Sequence, residues 1–117
     1  MPAEGASAHE PVLVIMDFPA RADRAGGFRA LAESIAAEPG LVWKIWTEDR
    51  EAGRAGGIYL FEGWAAARAY HAMHEARLEA VGVGPVRAEY RSVNAPLTAV
   101  TRGPVPAASL NSQTKHR

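Results

Sequence analysis

Four polar side chains and a group of aromatics carry the chemistry this chain could do. Lys44 and Glu48 flank Trp46 in the run Leu41-Val42-Trp43-Lys44-Ile45-Trp46-Thr47-Glu48. Strand side chains return to one face every second residue, so Lys44, Trp46 and Glu48 share a face. Such a charged pair is either a surface pair at a sheet edge or a polar feature inside a cavity. In a cavity, Lys44 would stabilise a phenolate or enolate anion, and Glu48 would anchor the lysine or take a proton. His74 lies one helical turn after Tyr70 and about one turn before Arg77 and Leu78. It is either a hydrogen-bonded structural group or a general base, since an unperturbed pKa of about 6.5 suits proton transfer near neutrality.

The aromatic residues Trp43, Trp46, Tyr59, Phe61, Tyr70 and Tyr90 either pack a core or form a flat apolar slot for an aromatic ring. Trp46 and Tyr59 are the expected pocket residues, and Trp43 is expected to face a helix in the core. His71, His74 and Glu75 are close in sequence but lack the His-Glu-x-x-His order and an evident third ligand, so no metal site is expected. His71 is placed on the solvent face of its helix. Gly82-Val83-Gly84 follows a helix instead of a strand and lacks the last glycine of a dinucleotide loop. NAD or flavin binding through it is not expected, and there is no Gly-x-Ser-x-Gly elbow and no phosphate loop.

The elements that must position these residues follow from periodicity and punctuation. With 117 residues the chain forms one domain, and its 48% hydrophobic and 22% charged content is that of a globular protein. Residues 1–11 read as a flexible leader, 12–100 as the folded domain and 101–117 as a disordered tail. Val12 to Phe18 is a strand stopped by Pro19. Phe28, Leu31, Ala32 and Ile35 recur at helical spacing and predict a helix over about 25–38, with Asp23 the nearest N-cap candidate. Pro39 and Gly40 end it. A hairpin follows, with strands over 41–48 and 58–61. Trp64 to Val81 is a second helix, and 86–94 a last strand ended by Pro96.

The order βαββαβ is the split-βαβ or ferredoxin-like arrangement, an α+β fold. Its helices cover one face of the sheet. Apolar side chains point both ways, so the other face needs cover, and pairing two sheets face to face would supply it. A homodimer is therefore expected, with the pocket in the enclosed space. Thirteen basic and 13 acidic side chains balance to zero, which argues against nucleic acid. No run is long and apolar enough to span a bilayer, no signal peptide is visible, and there is no cysteine. No membrane association and a cytoplasmic location are expected.

The chain also resembles the YdhR-like monooxygenase family. The resemblance is carried by Leu31-Ala32-Glu33-Ser34-Ile35, Glu38-Pro39-Gly40, Trp43-Lys44, Trp46-Thr47-Glu48 and Ala55-Gly56-Gly57-Ile58-Tyr59-Leu60-Phe61. It continues through Ala69-Tyr70, His74, Ala76-Arg77-Leu78 and Gly82-Val83 to Val93-Asn94-Ala95-Pro96-Leu97, covering about Val12 to Val100. It implies a ferredoxin-like subunit paired into a dimeric α+β barrel. It also implies cofactor-independent oxidation, by molecular oxygen, of an aromatic phenol- or enol-type small molecule such as a polyketide intermediate. His74 and Arg77 match the family pattern, which favours functional roles for both. In the implied mechanism His74 or Glu48 helps form a substrate anion, which passes an electron to dioxygen. Lys44 or Arg77 stabilises the anions, and Trp46, Tyr59, Trp43, Tyr70 and Phe61 contact substrate. An isomerase or cyclase using the same slot without oxygen, or a non-enzymatic dimeric binding protein, are the competing readings.

Overall fold

The computed structural model describes residues 10–20 and 28–109. Strand β1 (Val12–Pro19) is followed by helix α1 (Phe28–Ala36), strands β2 (Leu41–Asp49) and β3 (Arg54–Phe61), helix α2 (Trp64–Ala80), strand β4 (Arg87–Ser92) and a short helix α3 (Ala95–Val100). The strands form one antiparallel sheet in the order β2-β3-β1-β4, the ferredoxin-like arrangement. The expected start of the first helix and the Asp23 cap lie outside the described residues.

Alternation along the strands sorts the two faces. Val12, Val14 and Met16 of β1 and Tyr59 and Phe61 of β3 point to the helices and are fully buried with Ile35, Ala67 and Tyr70. In α2 the buried residues Ala67, Tyr70, His74 and Leu78 recur at three- and four-residue spacing, which places one stripe on the sheet. Tyr70 meets Tyr59 and Phe61 at ring-centroid distances of 5.1 and 5.5 Å. Such pairs contribute about 0.5–1.5 kcal/mol each beyond the area they bury. The turn out of α1 depends on Gly40, which has φ +81° and lies so near Ala66 that a Cβ there would sit 2.5 Å from the alanine methyl. The turn therefore carries two requirements for glycine, the left-handed conformation and the close approach of α2.

One irregularity reassigns a residue. The β2–β3 register shifts between Leu41 and Trp43. Leu41 pairs with Phe61 and packs on the core, and Trp43 pairs with Leu60 on the opposite face. A bulge of this kind inserts one extra residue and changes which way the following side chains point. The expectation that Trp43 faces a helix is thereby corrected. Its indole Nε1 donates instead to the Pro104 carbonyl at 3.0 Å.

That contact also revises the ends of the chain. Pro96, expected only to stop a strand, sits in the first turn of α3, where a missing N–H costs nothing. Asn94 caps this helix through its side-chain oxygen, which accepts from Leu97 N at 3.1 Å. Residues 101–109 then return across the sheet face opposite the long helices. Gly103 N donates to the Thr98 carbonyl at 2.8 Å, and Ser109 is only 2% exposed. The disordered-tail expectation therefore does not hold for 101–109, while 110–117 lie outside the described residues. At the other end, Pro11 is buried and accepts a hydrogen bond from Val93 N, so the fold begins before residue 12. Among the described residues no helix is long and apolar enough to cross a membrane.

Candidate functional site

A cavity of about 470 Å³ opens between the sheet and the two long helices, at the end of the sheet where β1 finishes. Its origin lies in the helix-facing residues of β3. Reading from one end of that strand to the other, they are Ala55, Gly57, Tyr59 and Phe61. The large pair fills the interlayer space, Ala55 borders the cavity, and the space over Gly57 is taken by the stem of Lys44. Phe18, Lys44, Trp46 and Glu48 line the sheet side, Phe28 and Leu31 of α1 one flank, and His74, Arg77 and Leu78 of α2, with Val81 just after it, the other. Trp46 and Phe28 meet at 5.8 Å between ring centroids, so the wall is aromatic as well as aliphatic.

The cavity therefore lies within one chain, under the helices. This corrects the expectation of a pocket enclosed between two paired sheets. Lys44, Trp46 and Glu48 do share a face, but it is the helix face. Trp43 lies on the other side of the sheet and is no part of the cavity. Tyr59, Phe61 and Tyr70 are not wall residues either. They form the packed core behind it, with Tyr70 Oη donating to Tyr59 Oη at 3.3 Å. Burial holds both phenols above the ordinary tyrosine range, so both stay protonated.

The cavity's electrostatics are set by Lys44 and Arg77. Lys44 Nζ lies 3.3 Å from the centroid of the Trp46 ring and 4.7 Å from that of Tyr59. No carboxylate among the described residues pairs with it. Burial, and secondarily the Arg77 guanidinium, lower its pKa from 10.5 to about 7. The Trp46 ring face favours the ammonium and opposes that shift. Gly57 makes room for the lysine stem, because a Cβ there would lie 2.5 Å from Lys44 Cε.

Arg77 Nη2 donates to His74 Nδ1 at 2.9 Å, which leaves the ring proton of His74 on Nε2. His74 is 1% exposed and stacks on Tyr70 at 5.0 Å. Burial first, then Arg77, Lys44 and His71, lower its pKa to about 4. It is neutral at ordinary pH, and its free lone pair is occupied by a cation. Glu48 stands at the mouth, largely exposed and paired with Arg50 at 3.3 Å. Among the described residues the interior is thus apolar with two basic groups and no carboxylate, an arrangement that suits an anion with a planar apolar body.

Sequence reasoning missed Phe18, Phe28, Leu31, Val81 and Val83 as wall residues. Their apolar periodicity was visible, but the empty space beside them depends on distant residues such as Ala55 of β3. His71 is corrected too. It is half-buried, hydrogen-bonded through Nδ1 to Tyr90 Oη at 2.7 Å and within 3.5 Å of Glu75. Tyr90 in turn stacks on Trp64 at 5.7 Å. Tyr90 thus belongs to a group away from the cavity. Among the described residues no group of three His, Cys, Asp or Glu side chains is placed to hold a metal ion.

Sheet, helices and interlayer cavity define a ferredoxin-like α+β subunit with a small-molecule-sized site under its helices. The chain belongs to the family described as "Putative mono-oxygenase ydhR", which it matches over residues 12–104. Solved structures share the fold at low identity. One is described as a "putative antibiotic biosynthesis monooxygenase" from Deinococcus radiodurans, with 17% identity and TM-score 0.53, covering 71% of this chain and 92% of that one. Another is a variant of SnoaB, a cofactor-independent oxygenase from Streptomyces nogalater, with 18% identity and TM-score 0.55, covering 73% and 94%. A third is Rv0793 from Mycobacterium tuberculosis, with 22% identity and TM-score 0.51, covering 71% and 94%. No curated protein matches the chain.

Proposed function

We propose that the chain is a cofactor-independent monooxygenase that oxidises an aromatic phenol- or enol-type small molecule, of the kind found among polyketide intermediates. The observation that carries this reading is the apolar cavity in which Lys44, Trp46 and Arg77 converge. Membership of a monooxygenase family and the fold shared with a cofactor-independent oxygenase support it. The substrate ring lies against Trp46 and Phe28. Lys44, poised near neutrality, accepts the phenol or enol proton, because a base works best when its pKa lies near the operating pH. The resulting ammonium and Arg77 then hold the anion in a low-dielectric site, where such pairing is strongest.

The substrate anion itself passes an electron to dioxygen. Converting an activated CH2 to C=O supplies four electrons, so one oxygen atom enters the product and the other leaves as water. No external reductant is needed. His74 does not act as the base in this scheme. Its Nδ1 is held by Arg77, and it fixes the guanidinium while offering Nε2–H as a donor. Glu48 acts at the mouth. The sheet face bearing exposed Ile45 supports pairing with a second copy.

The test is oxygen uptake with a tricyclic anthrone as substrate, followed by mass analysis of product formed under labelled dioxygen. One labelled atom per product, with loss of turnover in Lys44→Met, is the expected result. Conversion without oxygen uptake would replace the reading by an isomerase or cyclase. Binding without conversion would replace it by a carrier.

A further inference from the structure

We propose that the Lys44 amine is a nucleophile that condenses with carbonyl compounds entering the cavity, so that the site captures β-dicarbonyl ligands covalently. An ordinary surface lysine is a solvated ammonium, and its lone pair is taken by a proton. Lys44 instead lines an apolar cavity, is faced by Arg77 and neutral His74 of α2 and the protonated Tyr59 of β3, and has no carboxylate partner among the described residues. Glu48, the one carboxylate among the described residues that line the cavity, is turned to Arg50. A lysine desolvated in an apolar pocket beside another cation is the arrangement that frees an amine for attack on carbonyls. Its pKa near 7 agrees with that geometry.

The reaction balances without oxidant or reductant. The Lys44 nitrogen attacks one carbonyl carbon of a 1,3-diketone and a C–N bond forms. The carbonyl oxygen leaves as water, taking one hydrogen from the amine and one from the central methylene. The product is an enaminone, conjugated and stable to isolation. Arg77, at the same cavity, is placed to hold the second carbonyl oxygen. The cavity volume of about 470 Å³ admits a diketone carrying an aryl group. This inference goes beyond the oxygenase reading and does not depend on it.

The sequence supplies an internal control, because Lys44 and Lys115 are the chain's two lysines. The experiment incubates the full chain with benzoylacetone under argon at neutral pH, then maps adducts by mass spectrometry after proteolysis. Removing oxygen separates this result from any oxygenase turnover. The expected outcome is one addition of benzoylacetone less water on the Lys44 peptide. Its rate should exceed that on the Lys115 peptide by at least about tenfold, since the neutral-amine fraction is larger even after the lower intrinsic nucleophilicity is allowed for. The rate should level off above neutral pH, whereas an ordinary lysine keeps gaining towards about pH 10. Urea should abolish the preference, and Lys115→Arg should leave it intact. Equal labelling of the two lysines in the folded chain, or no adduct on Lys44, overturns the proposal. Because the comparison is made within the parent protein, it does not depend on any variant folding.

Discussion

Replacing Lys44 by methionine should stabilise the protein at neutral pH and do so less and less as pH rises. Lys44 binds its proton more weakly in the folded protein, at about 7, than the ordinary value of 10.5. Below pH 7 both states carry the proton, and the folded state bears the full cost of a buried ammonium. Between 7 and 10.5 the unfolded chain holds the proton and the folded chain has lost it, so parent stability climbs with pH. Above about 10.5 the cost is gone. Methionine keeps much of the stem's bulk and never ionises.

Taken whole, the displacement corresponds to on the order of 5 kcal/mol. The Trp46 face returns about 1–2 kcal/mol of that to the ammonium. The side chain is not fully buried, and residual solvent screens part of what remains. A net stabilisation of about 1–2 kcal/mol is therefore expected, a rise in Tm of roughly 5–10 °C for a domain of this size. Urea unfolding of parent and Lys44→Met at several pH values from about 6 to 10.5 measures it. A difference independent of pH, or a variant less stable at about pH 6–7, would refute the account of Lys44 as a desolvated amine.

Three further outcomes follow from other contacts. His74 is protonated at about 4 when folded and near 6.5 when unfolded, so parent stability should fall as pH drops from 6.5 to 4, and His74→Gln should flatten that decline in acid-unfolding curves. Trp43→Phe should cost about 1 kcal/mol through loss of the bond to Pro104, yet leave tryptophan quenching by a hydroxylated polycyclic aromatic intact, while Trp46→Phe should abolish most of that quenching. Ile45→Asp should convert a sedimenting dimer into a monomer, because Ile45 is 54% exposed on the sheet face turned away from the helices; an unchanged sedimentation coefficient would remove that face from the interface.

The sequence by itself determined what local rules determine. Proline and glycine marked where elements stop, apolar spacing separated helices from strands, and strand alternation put Lys44, Trp46 and Glu48 on one face. Those readings depend on residues a few positions apart, and the βαββαβ order follows from them. The Asn94-Ala95-Pro96 start of α3 was legible by the same rules, as a cap followed by an early proline, although Pro96 was read only as a strand stop. What only the tertiary structure decided depends on distant partners. A bulge turned Trp43 to the far face, where it meets Pro104 across 61 residues of sequence. The helix layer settled which side of the sheet carries the cavity, since a strand's period says which side chains go together but not what covers them. The small side chain of Ala55 borders a cavity only because Phe28, Leu31 and His74 arrive above it from two helices. The chemistry of His74 was decided in the same way. Its ring type permits a base, but the Arg77 guanidinium on Nδ1 and the burial around it leave a neutral donor.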